Sequence, residues 1–256
     1  MEDLSMYRRF LKIVFTLALV TAISGCATVQ KSAKVLPPPP AGFVPLEVGA
    51  EGKRGIGDYA MGRMKVFAAE DISKLQNGTV FLGDSITERY KLENYYQGMN
   101  VANRGIGGDT MGAMAAYGVY DRLSTCVYNL NPKTIILMIG INDIIWVKNV
   151  SLEKKFDQYA YLVWTLKKNL PNTDLYLVST LPCKGKYAYV NEDVAKFNEN
   201  IKKTAKKYGA KYLDVTPYFK NEKGELKAEL ANDDVHPSPA GYEILTKIYN
   251  KVIFKK

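Results

Sequence analysis

The sequence predicts an α/β fold, a three-layer α/β/α sandwich in which a mostly parallel five-stranded sheet lies between two sets of helices. Three observations predict it. Short apolar runs that stop at glycine or a polar turn recur along the chain, and amphipathic stretches of helical period alternate with them. The length of 256 residues, 47% of them hydrophobic and 24% charged, suits one sizeable domain with a full core. Regular alternation of strand and helix implies parallel pairing, with helices crossing over the sheet between strands.

Thr79-Val80-Phe81-Leu82 reads as the first buried strand, stopped at Gly83. Asn100-Val101-Ala102 fits a second. The clearest is Thr134 to Ile139, apolar after its first residue, as expected of a parallel strand covered on both faces. Leu175 to Val178 and Lys211 to Asp214 fit a fourth and a fifth. Residues 58–75 read as helix. Ser151 can cap a helix whose Leu152, Phe156, Tyr159, Val163, Leu166 and Leu170 draw one continuous stripe. Val194, Phe197, Ile201, Ala205 and Tyr208 repeat the pattern, with Gly209 as a natural C-cap. A last helix fits 239–254. In sheets of this kind reactive side chains collect at the carboxyl ends of the strands.

Before the domain comes an address. Arg8, Arg9 and Lys12 precede an apolar run from Ile13 to Ile23, followed by Ser24, Gly25 and Cys26. A basic head, a short apolar segment and small residues form the layout of a secretory signal. The run falls short of the roughly 20 residues a membrane-spanning helix needs. Ile23-Ser24-Gly25-Cys26 resembles the bacterial lipobox, which implies a lipid on Cys26 and a protein exported to the bacterial cell envelope and anchored to a membrane there. The plainer alternative is an ordinary cleaved signal with a chance cysteine. The expected organisation is a lipoprotein signal over 1–25, a Pro-rich tether over 26–52 and the globular domain over 53–256. Pro37 to Pro40 favour an extended polyproline II spacer in that tether.

Composition narrows the partners. The formal charge of +9 comes mostly from lysines spread along the chain, such as Lys167, Lys168, Lys202 and Lys203. These suit a solvated surface, or one attracted to anionic lipid or acidic polysaccharide. No compact basic cluster with interleaved aromatics marks a nucleic-acid site. Cys26, Cys126, Cys183 and a single histidine lack metal-ligand spacing, so no metal is expected. Pairing of Cys126 with Cys183 is open from sequence. Gly55 to Ala60 matches a loose dinucleotide fingerprint but follows the tether instead of a strand, and no Walker sequence is present, so no cofactor is expected.

Four segments carry chemistry. Gly83-Asp84-Ser85-Ile86-Thr87 stands where the first strand ends, placing a hydroxyl near a helix N-terminus whose free N–H groups favour negative charge. A serine that merely caps the helix fits the same pattern. Asn103 to Thr110, with Gly105, Gly107 and Gly108, follows the second strand, where glycines let a backbone N–H approach a ligand or simply make a tight turn. Gly140-Ile141-Asn142-Asp143 ends the third strand with an amide side chain at the same sheet edge. Asp233-Asp234-Val235-His236-Pro237 precedes the last helix and holds the chain's one histidine. A lone histidine is usually structural. This one has a carboxylate three positions upstream, and an imidazole is the side chain suited to a general base near neutral pH.

Together, from Val80 to about Gly241, these segments resemble the SGNH (GDSL-type) hydrolases, and Gly105 to Thr110 looks like the branch containing platelet-activating-factor acetylhydrolase and carbohydrate esterases. Ile86 stands where the GDSL label has leucine. The resemblance implies a flavodoxin-like fold and a serine esterase without cofactor. Ser85 would be nucleophile, His236 base and Asp233 its orienting carboxylate, with Asp234 out of register. The oxyanion would be held by the N–H groups of Ser85 and Gly108 and by the Asn142 amide. Trp146, Tyr187 and Tyr189 fall in loops after the third and fourth strands, as a sugar-stacking or apolar wall or as plain packing. Short acyl esters of a carbohydrate or lipid are the expected substrate, since no long apolar insertion suggests an acyl tunnel. A lysophospholipase or thioesterase, or a silent surface-binding lipoprotein on the same fold, are the rival readings.

Overall fold

The computed structural model describes residues 35–256; Cys26 and the expected signal lie outside them. Five parallel strands form one sheet in the order β2-β1-β3-β4-β5. They are β1 (Thr79–Gly83), β2 (Val101–Gly105), β3 (Thr134–Met138), β4 (Asp174–Val178) and β5 (Lys211–Leu213). Val80, Phe81 and Leu82 of β1 and Ile135 to Met138 of β3 are buried without alternation, because helices cover both faces of these central strands. The strand order reverses between β1 and β3, which is where sheets of this type open a ligand crevice.

The helices are α1 (Asp58–Ala68), α2 (Ser85–Glu88), α3 (Leu92–Tyr95), α4 (Leu123–Cys126), α5 (Ile141–Trp146), α6 (Leu152–Asn169), α7 (Asn191–Tyr208), α8 (Thr216–Phe219) and α9 (Pro239–Tyr249). Ser151 caps α6 through the Lys154 N–H, and α7 buries Val194, Phe197, Ile201, Ala205 and Tyr208 and stops at Gly209. None of the described helices is long and apolar enough to cross a membrane. α1 ends at Ala68, earlier than expected, and the Asp71 carboxylate starts a separate 3₁₀ turn at Ile72–Lys74. The last helix passes into a π turn at Asn250–Phe254.

Two features depart from the sequence reading. The compact unit begins at Leu36, where a tether had been expected to run to residue 52. Proline carbonyls need outside donors, and that of Pro38 accepts from the Tyr208 hydroxyl at 3.2 Å. Phe43 packs against Tyr161 at 4.9 Å between ring centroids, and the Leu46 N–H donates to Ala113 O at 2.8 Å. Lys53 is buried with its ammonium on Leu46 O and on the Asp121 carboxylate. On α6, Lys155 and Gln158 are buried although their positions read as polar face. The loop after β2 covers that face, and the Gln158 amide donates to Gly112 O. Cys126 and Cys183 are both free and buried; burial pushes the Cys183 thiol up to about 12.

Candidate active site

The strand register assembles the site. Gly83 pairs with Gly105 on one side and with Met138 on the other, so β1, β2 and β3 end in line. The segments carrying Ser85, Gly107-Gly108 and Asn142 therefore leave the sheet from one edge. Gly83 must be glycine because a Cβ there would lie 2.2 Å from Met138 O. The Asp84 carboxylate caps α2 by accepting the Ile86 N–H at 2.9 Å. That bond turns the chain sharply and sets Ser85 at the first helical position. Burial pushes the Asp84 carboxyl up to about 7.

The Ser85 hydroxyl lies 2.8 Å from His236 Nε2, and His236 Nδ1 lies 2.8 Å from Asp233 Oδ2. The Asp233 carboxylate also accepts the N–H groups of Val235 at 2.9 Å and His236 at 2.8 Å, so the loop is bent around it. Partial burial alone would raise this carboxyl; those hydrogen bonds and the imidazole outweigh it and hold the group down at about 2. Asp233 is thus a fixed anion aimed at one ring nitrogen, leaving the other for Ser85. Asp234 turns away and meets the Lys184 ammonium at 3.3 Å and the Lys186 N–H at 3.3 Å.

Beside the serine, the Asn142 amide donates one hydrogen to Asp109 O at 2.8 Å, which leaves its second N–H for the cleft. Gly108 has φ of +77°, a conformation that turns its N–H and suits only glycine there. Among the described residues the N–H groups of Ser85 and Gly108 have no acceptor, whereas that of Gly107 is taken by the Glu88 carboxylate. The turn is anchored from beneath. Arg122, fully buried, donates to the Asp109 carboxylate at 2.7 Å and to the carbonyls of Gly83 at 3.1 Å and Arg104 at 2.9 Å. Burial raises Asp109 to about 6, with Arg122 opposing it. Asp143 accepts the Met111 N–H at 3.0 Å, and burial pushes its carboxyl up to about 8.

Ser85, Gly107, Gly108, Asn142, Asp233 and His236 line one cleft of about 650 Å³. Trp146, 59% exposed, meets Tyr187 edge to face at 5.5 Å on its rim. Tyr189 stands outside the lining, its ring under the Lys148 ammonium at 5.2 Å. Several residues in and around the cleft had no signal in the sequence. Tyr59 and Arg63 of α1 hold Glu88 from the far side, by a hydroxyl bond of 2.6 Å and an Arg63 Nε contact of 3.2 Å. Arg89 reaches Asp233 Oδ2 at 3.5 Å. Only Glu88 carried a hint, since it sits one turn beyond Ser85 on the same short helix.

A model of the GDSL-like lipase/acylhydrolase family matches residues 81–244. The chain belongs to that family. A multidomain esterase of Ruminococcus flavefaciens is 34% identical over 125 residues, which is 46% of this chain and 15% of that protein. The chain therefore spans about a seventh of that relative's length. A Streptococcus pneumonia structure provisionally named as a platelet activating factor is 26% identical, covering 76% of this chain and 92% of that one, with a TM-score of 0.66. An acetylxylan esterase from Geobacillus stearothermophilus shares the fold at 22% identity, over 69% of this chain and 94% of the other, with a TM-score of 0.55.

Proposed function

We propose that this GDSL-family chain is a serine ester hydrolase acting on short acyl esters, with a carbohydrate as the alcohol. The observation that carries it is the continuous Ser85–His236–Asp233 relay of 2.8 Å contacts opening onto N–H groups without acceptors. His236 Nε2 takes the Ser85 proton as Oγ bonds to the ester carbonyl carbon. The carbonyl oxygen becomes an anion held by the N–H groups of Ser85 and Gly108 and the free hydrogen of Asn142. The C–O bond to the alcohol then breaks, and His236 returns the proton to the leaving oxygen. Water repeats the sequence on the acyl-serine and regenerates the hydroxyl. Asp233 keeps the ring in the tautomer this requires.

The short acyl group is supported by the cleft's lining, in which Ile145 and Val235 are the only aliphatic side chains. The carbohydrate is supported by Trp146, exposed at the rim, with the half-buried Tyr187 packed edge to face against it. A panel of 4-nitrophenyl acetate, butyrate, octanoate and palmitate tests the acyl reading. Turnover should fall steeply beyond butyrate; a preference for octanoate or palmitate favours a lysophospholipase-like activity instead. We further propose that Cys26 is lipidated, placing the enzyme on a membrane of the bacterial envelope. Incorporation of labelled fatty acid that Cys26→Ala removes is the expected result.

A further inference from the structure

A second cleft of about 300 Å³ adjoins the catalytic one, and the two share Arg89 as a common wall. Its lining includes Arg89, Lys91, Asn94, Tyr95, Asn232 and Tyr242, and no carboxylate. Its position is set by the catalytic loops. Asn232 precedes Asp233, Pro237 follows His236, and the buried Tyr242 hydroxyl donates at 2.8 Å to the carbonyl of Ile86, next to Ser85. A ligand there would flank the histidine. In the reaction above, the histidine side is where the alcohol departs, because that oxygen receives the proton from His236. The second cleft therefore belongs to the alcohol part of a substrate and not to the acyl part.

The cations of this face are only partly matched by carboxylates. Glu88 is held by Tyr59, Arg63 and Gly107, Asp233 by His236, and Asp234 by Lys184 and the Lys186 N–H. Lys91 is exposed, and its ammonium has no hydrogen-bond or ion-pair partner among the described residues. Arg89 is half exposed and meets a carboxylate only at 3.5 Å, through one of its nitrogens. A guanidinium, an ammonium and two side-chain amides beside an aromatic rim form a receptor for a polyhydroxylated anion. Resting on the ester-hydrolase reading, we propose that Arg89 and Lys91 form a subsite for the carboxylate of an acidic sugar next to the esterified one. The substrate class is then an acylated saccharide containing uronic acid.

Binding tests this without relying on turnover. Ser85→Ala full-length protein is titrated calorimetrically with tri-galacturonate and with neutral xylotriose, at 20 and 500 mM salt. Tri-galacturonate should bind more tightly, lose that advantage at high salt, and weaken about five- to tenfold in Ser85→Ala/Lys91→Glu, because reversal turns a weak exposed attraction into repulsion. Equal binding of the two saccharides, or binding unaffected by Lys91→Glu, overturns the proposal. Kinetics on otherwise wild-type protein separate it from the parent reading. Lys91→Glu should raise KM for acetylated oligogalacturonate while 4-nitrophenyl acetate turnover stays within about twofold. Failure of wild type to cleave 4-nitrophenyl acetate, with selective acidic-sugar binding intact, removes the esterase reading and leaves the subsite. Binding to phosphatidylglycerol vesicles that Lys91→Glu abolishes, with saccharide binding unchanged, makes the patch a membrane contact and refutes the subsite.

Discussion

Asn142→Ala removes one of three donors assigned to the oxyanion while leaving Ser85, His236 and Asp233 untouched. Its side chain is buried and fixed by the 2.8 Å bond to Asp109 O, so the hydrogen aimed at the cleft is held in place before substrate arrives. A preorganised donor of this kind is worth about 3 to 4 kcal/mol in the transition state, equivalent to roughly a hundred- to thousandfold in kcat. Because the charge develops only during reaction, KM should change by less than about threefold. The same substitution strands the Asp109 carbonyl, which costs about 1 to 3 kcal/mol of stability. For a domain of this size that lowers Tm by about 2 to 12 °C. Steady-state kinetics on 4-nitrophenyl acetate, together with a thermal melt, read both effects. A kcat within tenfold of wild type in a folded protein refutes the assignment of Asn142 as an oxyanion donor. A loss expressed mainly in KM does the same.

Further expectations concern the surroundings. Asp233→Asn should leave a folded enzyme slower by roughly 10⁴ in kcat, whereas Asp234→Asn, whose carboxylate faces Lys184, should stay within about tenfold on the same substrate. Arg122→Met strands the Asp109 carboxylate and should cost about 3 to 5 kcal/mol in urea unfolding; an unchanged midpoint contradicts the anchoring role. The Asp143 carboxyl, raised by burial to about 8, contributes stability in full below its ordinary range near 4 and loses it as pH climbs through 8. Wild-type Tm should therefore decline between pH 5 and 9, and Asp143→Asn should flatten that decline; parallel curves would show that Asp143 is not the titrating group.

Much of the frame was readable because its signals are local. β1 and β3 are uninterrupted apolar runs covered on both faces, and α7 keeps one clean stripe with glycine at its end. Ser85, Asn142 and His236 stood out because each follows a strand or opens a helix, and the structure brings all three to one sheet edge. What escaped depends on distance in the chain. Glu88 joins Tyr59, 29 residues away, and Arg122 reaches back 39 residues to Gly83. A charged residue such as Arg104 or Arg122 reads as surface until the carbonyls that surround it are known. Residues 36–52 read as tether from their prolines alone. Their docking rests on isolated long-range contacts such as Pro38 O with Tyr208 and Phe43 with Tyr161, which composition does not reveal.

The central claim is that Ser85 is the nucleophile. A fluorophosphonate incubated with the purified chain, followed by intact-mass and peptide analysis, tests it most directly. One equivalent of label is expected on the peptide containing Ser85, lost in Ser85→Ala and slowed by orders of magnitude in His236→Ala. Label on another residue, or ester hydrolysis that survives Ser85→Ala undiminished, would contradict it.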